Sequence, residues 1–217
     1  MKKIIAMING KKQISPWDNK EYKNLFAKAK LRISRKRAFM LLEILNLALK
    51  FEGDVAELGV YKGSTAYLIA DCLSLLNRDK KLYLFDTFCG SPLSSKKDVL
   101  QRKGTYVDTS EEKVHAFLKD FDSFLEFRKG LIPESCKGLE KNIFCFLHVH
   151  LNLYESTHCA LDFFYPRMSN FGLVLIEDYG LESCGGVRLA VDEFCKDRSI
   201  PFIRLTSGQA LMVKINK

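Results

Sequence analysis

The run Gly53-Asp54-Val55-Ala56-Glu57-Leu58-Gly59-Val60-Tyr61-Lys62-Gly63-Ser64-Thr65 decides how the rest of the chain is read. An apolar stretch ends on Glu57, Gly59 and Gly63 follow four apart, and Ser64-Thr65-Ala66-Tyr67-Leu68-Ile69-Ala70 continues with helical character. That order predicts a strand, a tight turn and a helix start. Glycine lets backbone pass a bound molecule with no side chain in the way, and a helix start offers unpaired N–H groups to an anion. A nucleotide-like ligand suits such a turn, although glycines after a strand also make plain turns.

The spacing narrows the ligand. A dinucleotide turn carries G-x-G-x-x-G, whereas here Glu57 is followed by Gly59 and then Gly63. A carboxylate at the strand end suits an amine. S-adenosylmethionine carries an ammonium and a carboxylate on one tail, so Glu57 is expected to meet the first and the helix N-terminus the second.

Working outward, a helix to about Leu76 leads into a strand, Lys81-Leu82-Tyr83-Leu84-Phe85, that ends on Asp86. Thr87 to about Ser110, with Gly90, Pro92, Ser94 and Ser95, is long for a connection inside a domain and is read as a lid. Further strands are expected over 124–127, 143–149, 173–176, 202–205 and 210–213, and helices over 111–119, 154–164 and 186–196. Upstream, residues 1–20 read as a loose arm. Helices follow over 21–51, polar and basic through Arg37, then apolar from Ala38 to Leu49 apart from Glu43 and Asn46. That apolar half should pack on the core or on a second subunit. The expected organisation is therefore a basic arm with packing helices, 1–52, and an α/β domain, 53–217. Alternating strands and helices predict a mostly parallel seven-stranded sheet covered on both faces, and Thr206-Ser207-Gly208-Gln209 suggests a closing antiparallel hairpin.

Four apolar runs end in polar residues: Glu57; Asp86; His150 with Asn152; and Glu177 with Asp178. Ligands of open parallel sheets bind outside the carboxyl ends of the strands, so these clusters should converge on one crevice. Asp86 is placed to accept both hydroxyls of a ribose, or to cap a turn. Side-chain alternation puts His148, His150 and Asn152 on one face; His148, flanked by apolar residues, reads as a hydrogen-bonded core histidine. His150 with Glu177 and Asp178 makes a plausible divalent metal site. In the plainer alternative Asp178 caps the next turn and Glu177 pairs with a lysine.

The chain has 217 residues, 47% of them apolar, enough for one well-buried core. Its net charge of +8 is uneven: the first 50 residues hold 13 Lys or Arg against Asp18, Glu21 and Glu43, leaving 21 basic and 23 acidic residues elsewhere. A basic arm suits nucleic acid, an anionic membrane surface, a phosphate-bearing substrate, or simply water on a solvated helix face. No base-reading or stacking motif accompanies it, so no nucleic acid is expected. Seven scattered cysteines without a C-x-x-C pair read as reduced thiols rather than a disulfide framework or zinc site. The first residues are too weakly apolar for a signal peptide and no run reaches a membrane span, which leads to an expected cytoplasmic location.

Taken together, Glu57-Leu58-Gly59-Val60-Tyr61-Lys62-Gly63-Ser64-Thr65, Leu84-Phe85-Asp86-Thr87-Phe88-Cys89-Gly90-Ser91-Pro92, Lys129-Gly130-Leu131-Ile132-Pro133-Glu134, His148-Val149-His150-Leu151-Asn152-Leu153-Tyr154-Glu155-Ser156-Thr157, Ile176-Glu177-Asp178-Tyr179-Gly180 and Gly186-Val187-Arg188-Leu189-Ala190-Val191-Asp192-Glu193-Phe194 resemble the macrocin O-methyltransferase (TylF-type) family. The resemblance runs in order from about Gly53 to the C-terminus. It implies a Rossmann-like S-adenosylmethionine-dependent fold and methylation of sugar hydroxyls helped by Mg2+. It also implies that Glu57, Gly59, Tyr61, Gly63, Ser64 and Thr65 surround the methionine end, that Asp86 holds the ribose, and that His150, Glu177 and Asp178 ligate a metal. The family usually has Asp-x-Asp where this chain has His150 and Asn152, Asp-Asp where it has Glu177 and Asp178, and Glu where it has Cys89.

An Asn152 amide cannot take a proton. With a metal kept, an imidazole ligand shifts preference from Mg2+ toward Mn2+, Fe2+ or Zn2+; with it lost, His150 is itself the candidate base. His150 and Asn152 are thus the candidate catalytic residues, and a small hydroxylated, sugar-containing acceptor is the expected substrate. The alternatives are a degenerate relative that binds S-adenosylmethionine without catalysis, and a different enzyme or nucleic-acid protein using the basic arm. The apolar helix ending near Leu49 makes a homodimer an expectation as well.

Overall fold

A computed structural model describes residues 15–76, 79–92, 94–100 and 105–215. Most of the arm read over 1–20 lies outside these residues; Pro16–Asp18 form a single 3-10 turn. Two helices follow, α1 (Lys20–Lys28) and α2 (Arg35–Ala48), each started by a polar cap. The Asn19 side chain accepts the Tyr22 N–H at 2.8 Å and the Ser34 hydroxyl that of Arg37 at 3.3 Å. On α2 the residues Ala38, Leu41, Leu42, Leu45 and Ala48 recur at helical spacing and are buried. They join Phe26, Leu73, Leu82 and Leu175 in one cluster, so the apolar half packs on the sheet of its own chain. Leu41 and Leu45 are wholly buried, each worth about 1.5–3 kcal/mol of transfer free energy.

The strands are β1 (Asp54–Leu58), β2 (Leu82–Asp86), β3 (Leu125–Lys129), β4 (Phe144–Val149), β5 (Met168–Ile176), β6 (Phe202–Arg204) and β7 (Ala210–Val213). Between them lie α3 (Ser64–Leu76), α4 (Glu111–Leu118), α5 (Tyr154–Phe164) and α6 (Gly185–Asp197). The seven strands form one sheet in the order β3-β2-β1-β4-β5-β7-β6. All neighbouring pairs from β3 to β5 are parallel, whereas β7 runs antiparallel to both β5 and β6. This is the predicted Rossmann-like sheet with its closing hairpin. β5 starts five residues before the expected Leu173, because a register shift lets Met168 pair with Phe144 before the ladder resumes at Leu173.

Alternation along the strands splits the core in two. Val55, Leu84, Phe146 and Leu175 face α2 and α3, while Leu58, Phe85, Val149 and Ile176 face the layer of α5 and α6. Glu57 and His148 are neighbours in register and point to the α2 side. The buried pair Glu57 and His148 therefore lies on the side of the sheet that α2 covers.

Candidate active site

Across the sheet the chain moves from β1 to β2 to β3, then returns to place β4 on the other side of β1. At that switch point a cleft of about 990 Å³, its open mouth included, is lined by Gly59 to Lys62, Ser64 and Thr65 on one side and by His150 to Leu153 on the other. Arg32, Asp86 and Tyr106 also face it.

The glycine turn forms as predicted, and both glycines also meet close packing. Gly59 has φ +88°, and a Cβ there would stand 2.3 Å from the His150 carbonyl oxygen. Gly63, at φ +81°, faces Val114 and Phe117 at 3.1 and 3.3 Å rather than the cleft. Asp86 organises the turn from the next strand: Oδ2 accepts the Val60 and Tyr61 amides at 2.8 and 2.7 Å, and Oδ1 that of Phe88 at 2.8 Å. The Ser64 hydroxyl accepts the Arg32 amide at 3.1 Å, tying the start of α3 to the link between α1 and α2.

The segment read as a lid is fastened near its middle and at its far end among its described residues. The Tyr61 hydroxyl donates to Asp108 at 2.6 Å, Thr109 donates to the Tyr61 carbonyl at 2.6 Å, and Lys62 pairs with Asp108. Hydrogen bonds from Lys62 and Tyr61 pull the Asp108 pKa down to about 2. Asp98, only 4% exposed, accepts the Tyr154 N–H at 2.7 Å and caps α5, which has no side-chain cap of its own. Gly186 leaves room for it, since a Cβ would lie 2.0 Å from the Asp98 carboxylate.

Behind the His150 wall lies a buried chain of charges. His148 is fully buried, with Nδ1 2.9 Å from Glu57 Oε1 and Nε2 3.0 Å from Glu177 Oε1. Burial alone pushes the imidazole pKa down, but the hydrogen bonds and charges of Glu177 and Glu57 outweigh it and raise it to about 9. His148 is thus an imidazolium holding two carboxylates. Burial likewise works against the Glu177 charge, yet His148, His150 and Arg37 bring its pKa down to about 2. Arg37, from the first turn of α2, sets Nε 2.6 Å from Glu177 Oε2 and Nη2 2.5 Å from Asp178 Oδ1. Gln209 donates to Glu177 Oε1 at 2.6 Å. His150 Nε2 stands 3.7 Å from Asp178 Oδ2.

Of the residues singled out in the sequence, Gly59, Tyr61, Ser64, Thr65, Asp86, His150 and Asn152 line the cleft, while Gly63 supports the turn from behind. Glu57 does not reach the cleft wall: its carboxylate is sealed against His148. The metal reading of His150, Glu177 and Asp178 gains no support from the donor geometry. No group of three or more His, Cys, Asp or Glu is arranged to hold an ion among the described residues. The physical reason is the donor set: both Glu177 oxygens and one Asp178 oxygen already face cationic or N–H partners. Nor does Glu177 pair with a lysine; its partners are an arginine, a histidine and a glutamine.

Sequence reading missed Arg37. A signal existed: Arg37 stands four residues before Leu41 and eight before Leu45, so it extends the buried stripe of α2 by one turn. Tyr106, Asp98 and Gln209 carried no comparable signal.

Comparison with known proteins agrees with this geometry. The chain is 29% identical over 153 residues to demethyldecarbamoylnovobiocin O-methyltransferase of Streptomyces niveus, a match covering 65% of this chain and 58% of that protein. It is 25% identical over 143 residues to 8-demethyl-8-(2,3-dimethoxy-alpha-L-rhamnosyl)-tetracenomycin-C 4'-O-methyltransferase of Streptomyces olivaceus, covering 61% and 55%. The matches thus span somewhat more than half the length of these curated relatives. Among solved structures, the O-methyltransferase NovP superposes with a TM-score of 0.75 over 84% of this chain and 81% of its own, at 23% identity. The sequence model of the Macrocin-O-methyltransferase (TylF) family matches residues 28–204, from the end of α1 to the end of β6 and so across the whole cleft, and the chain belongs to that family.

Proposed function

We propose that this protein is an S-adenosylmethionine-dependent O-methyltransferase acting on a hydroxyl of a sugar or glycosylated metabolite, with His150 as the base. The observation that carries the reading is the cleft itself: a glycine turn and helix start on one wall, and an imidazole backed by a carboxylate on the other.

The lining suits the cofactor. Ser64, Thr65 and the Arg32 guanidinium offer hydrogen bonds and positive charge for a carboxylate, and Phe85, Leu131, Ile132 and Leu151 offer apolar surface for a base. Asp86 is the residue for the ribose through Oδ1, which beyond the Phe88 amide has only the Thr87 hydroxyl, at 3.5 Å, on its second lone pair. When bound, S-adenosylmethionine supplies an electrophilic methyl group, whose carbon–sulfur bond breaks as a carbon–oxygen bond forms to the acceptor. His150 takes the proton of the acceptor hydroxyl. Arg37 holds Asp178 Oδ1, which leaves Asp178 Oδ2 facing His150 Nε2 at 3.7 Å. That oxygen is the counter-charge for a proton arriving on the imidazole. Asn152, as an amide, orients the acceptor rather than deprotonating it.

The test pairs binding with transfer. Calorimetry should show saturable S-adenosylmethionine binding by the wild type and by His150→Ala, and methyl-labelled cofactor with a panel of glycosides should show transfer. His150→Ala should lose about 10²–10⁴-fold in kcat. No cofactor binding would sink the reading; binding without transfer to any hydroxylated acceptor would leave a cofactor-binding relative without this chemistry.

A further inference from the structure

The carboxylate cluster at the ends of β1 and β5 already contains its cation. Glu57 and Glu177 are wholly buried and Asp178 is 5% exposed, so their charges require neutralising partners inside the protein. The partners are both parts of the chain: His148 between the two glutamates, and Arg37 between Glu177 and Asp178. Arg37 makes three close contacts there, to Glu177 Oε2 at 2.6 Å, to the Glu177 carbonyl at 2.6 Å and to Asp178 Oδ1 at 2.5 Å, with its side chain 13% exposed.

Counting oxygens shows what this leaves for an ion. Glu57 Oε1 and Glu177 Oε1 face His148, with Gln209 on the latter, Arg37 holds Glu177 Oε2 and Asp178 Oδ1, and Asp178 Oδ2 faces His150, which leaves Glu57 Oε2 without a hydrogen-bond partner, sealed inside the protein on the far side of His148 from Glu177. A divalent cation takes its ligands at about 2.0–2.6 Å. It would have to enter beside a fixed guanidinium, with like charges a few ångströms apart, or evict it. The local sequence is consistent with that arrangement: where the family resemblance puts two aspartates, this chain has His150 and Asn152, neither of which adds a negative charge.

We infer that Arg37 is a resident guanidinium standing where the resemblance puts a divalent metal, so that this site excludes metal and Arg37 is a positioning residue. By fixing Asp178 it holds the carboxylate that faces the His150 imidazole. The role in turnover rests on the methyl-transfer reading; the exclusion of metal does not.

The experiment is a Mn2+ titration of the full-length protein, followed by the electron paramagnetic resonance signal of the free ion. It compares wild type, Arg37→Met, and the double variant Arg37→Met/Asp178→Asn, each checked for folding by circular dichroism. Wild type should leave the free-ion signal undiminished. Arg37→Met should gain one Mn2+ site at least about tenfold tighter than any wild-type binding, because a like charge has been removed and two carboxylates released. The double variant should lose that site. Stoichiometric Mn2+ binding by wild type, weakened by Asp178→Asn, would overturn the inference. So would a folded Arg37→Met that gains no site. Should Arg37→Met fail to fold, Arg37→Gln, which keeps a hydrogen-bonding side chain without the charge, is read by the same two criteria.

Turnover gives a separate arm. Wild-type kcat should be unchanged by chelator, and Arg37→Lys, which keeps the charge but not the fork, should keep more kcat than Arg37→Met with the KM for S-adenosylmethionine unchanged. Loss of kcat on chelation, restored by Mn2+, would refute the metal-free site. None of the resonance measurements requires methyl transfer, so a failure of the proposed activity and a failure of this inference are told apart.

Discussion

The two walls of the cleft are built on different principles. On the β1–β2 side, backbone does the work: Asp86 gathers amides from Val60, Tyr61 and Phe88, and Gly59 lets the His150 carbonyl approach. On the β4–β5 side, charge does it: a buried chain runs from Glu57 through His148, Glu177 and Arg37 to Asp178, and its Arg37–Glu177 link joins residues 140 apart in sequence. A wall made of backbone shape tolerates changes of charge and resists added bulk. A wall made of buried charge behaves in the opposite way.

The sharpest way to break the comparison is bulk on the first wall. Gly59→Ala places a methyl 2.3 Å from a carbonyl oxygen at a φ of +88°. Strain and overpacking together should cost about 2–6 kcal/mol, read as a fall in Tm. A tolerated Gly59→Ala would mean that the strand end gives way, and that the turn is not the rigid wall.

The second wall should respond to pH. An unfolded histidine gives up its proton near about 6.5, whereas His148 in the folded protein holds it to about 9. Its contribution to stability is therefore fully present below about 6.5 and lost as pH rises through about 9. Glu177 works in the other direction, with stability present above its unfolded value of about 4.3 and lost as pH falls through about 2. Thermal unfolding should show a declining Tm between neutral pH and pH about 10, and His148→Gln should flatten that decline. An unchanged slope in the variant would place the titrating group elsewhere.

The smallest effect belongs to the exposed clasp of the first wall. Asp108→Asn removes the ion pair with Lys62 but keeps an acceptor for Tyr61. Exposed pairs contribute little to stability, so Tm should barely move at neutral pH. A large fall would show that the clasp, rather than Asp86, holds the turn in shape.

Much of the first wall was legible in the sequence. Gly59 and Gly63, the strand-ending Asp86 and the start of α3 at Ser64 are all within one turn of chain from features with local signatures. Nothing local reveals that the chain after β4 also passes over Gly59, whose missing side chain leaves room for the His150 carbonyl. Glu57 was misplaced for a related reason. Its position at a strand end was right, but whether its carboxylate looks into the cleft or sideways along the sheet depends on which residue stands beside it in β4. That neighbour is His148, set by strand register.

The sequence by itself determined the alternation of strands and helices, the glycine turn and the convergence of polar strand ends. Each follows from short-range periodicity and from the few residue types that suit a turn. Tertiary structure alone decided what neutralises those polar ends. The register of β1 against β4 sets His148 beside Glu57, and the docking of α2 over the sheet brings Arg37 to Glu177 and Asp178. Buried charge must be balanced by whatever lies nearest in space, and nearness in space across 140 residues is a property of the fold that no local pattern encodes.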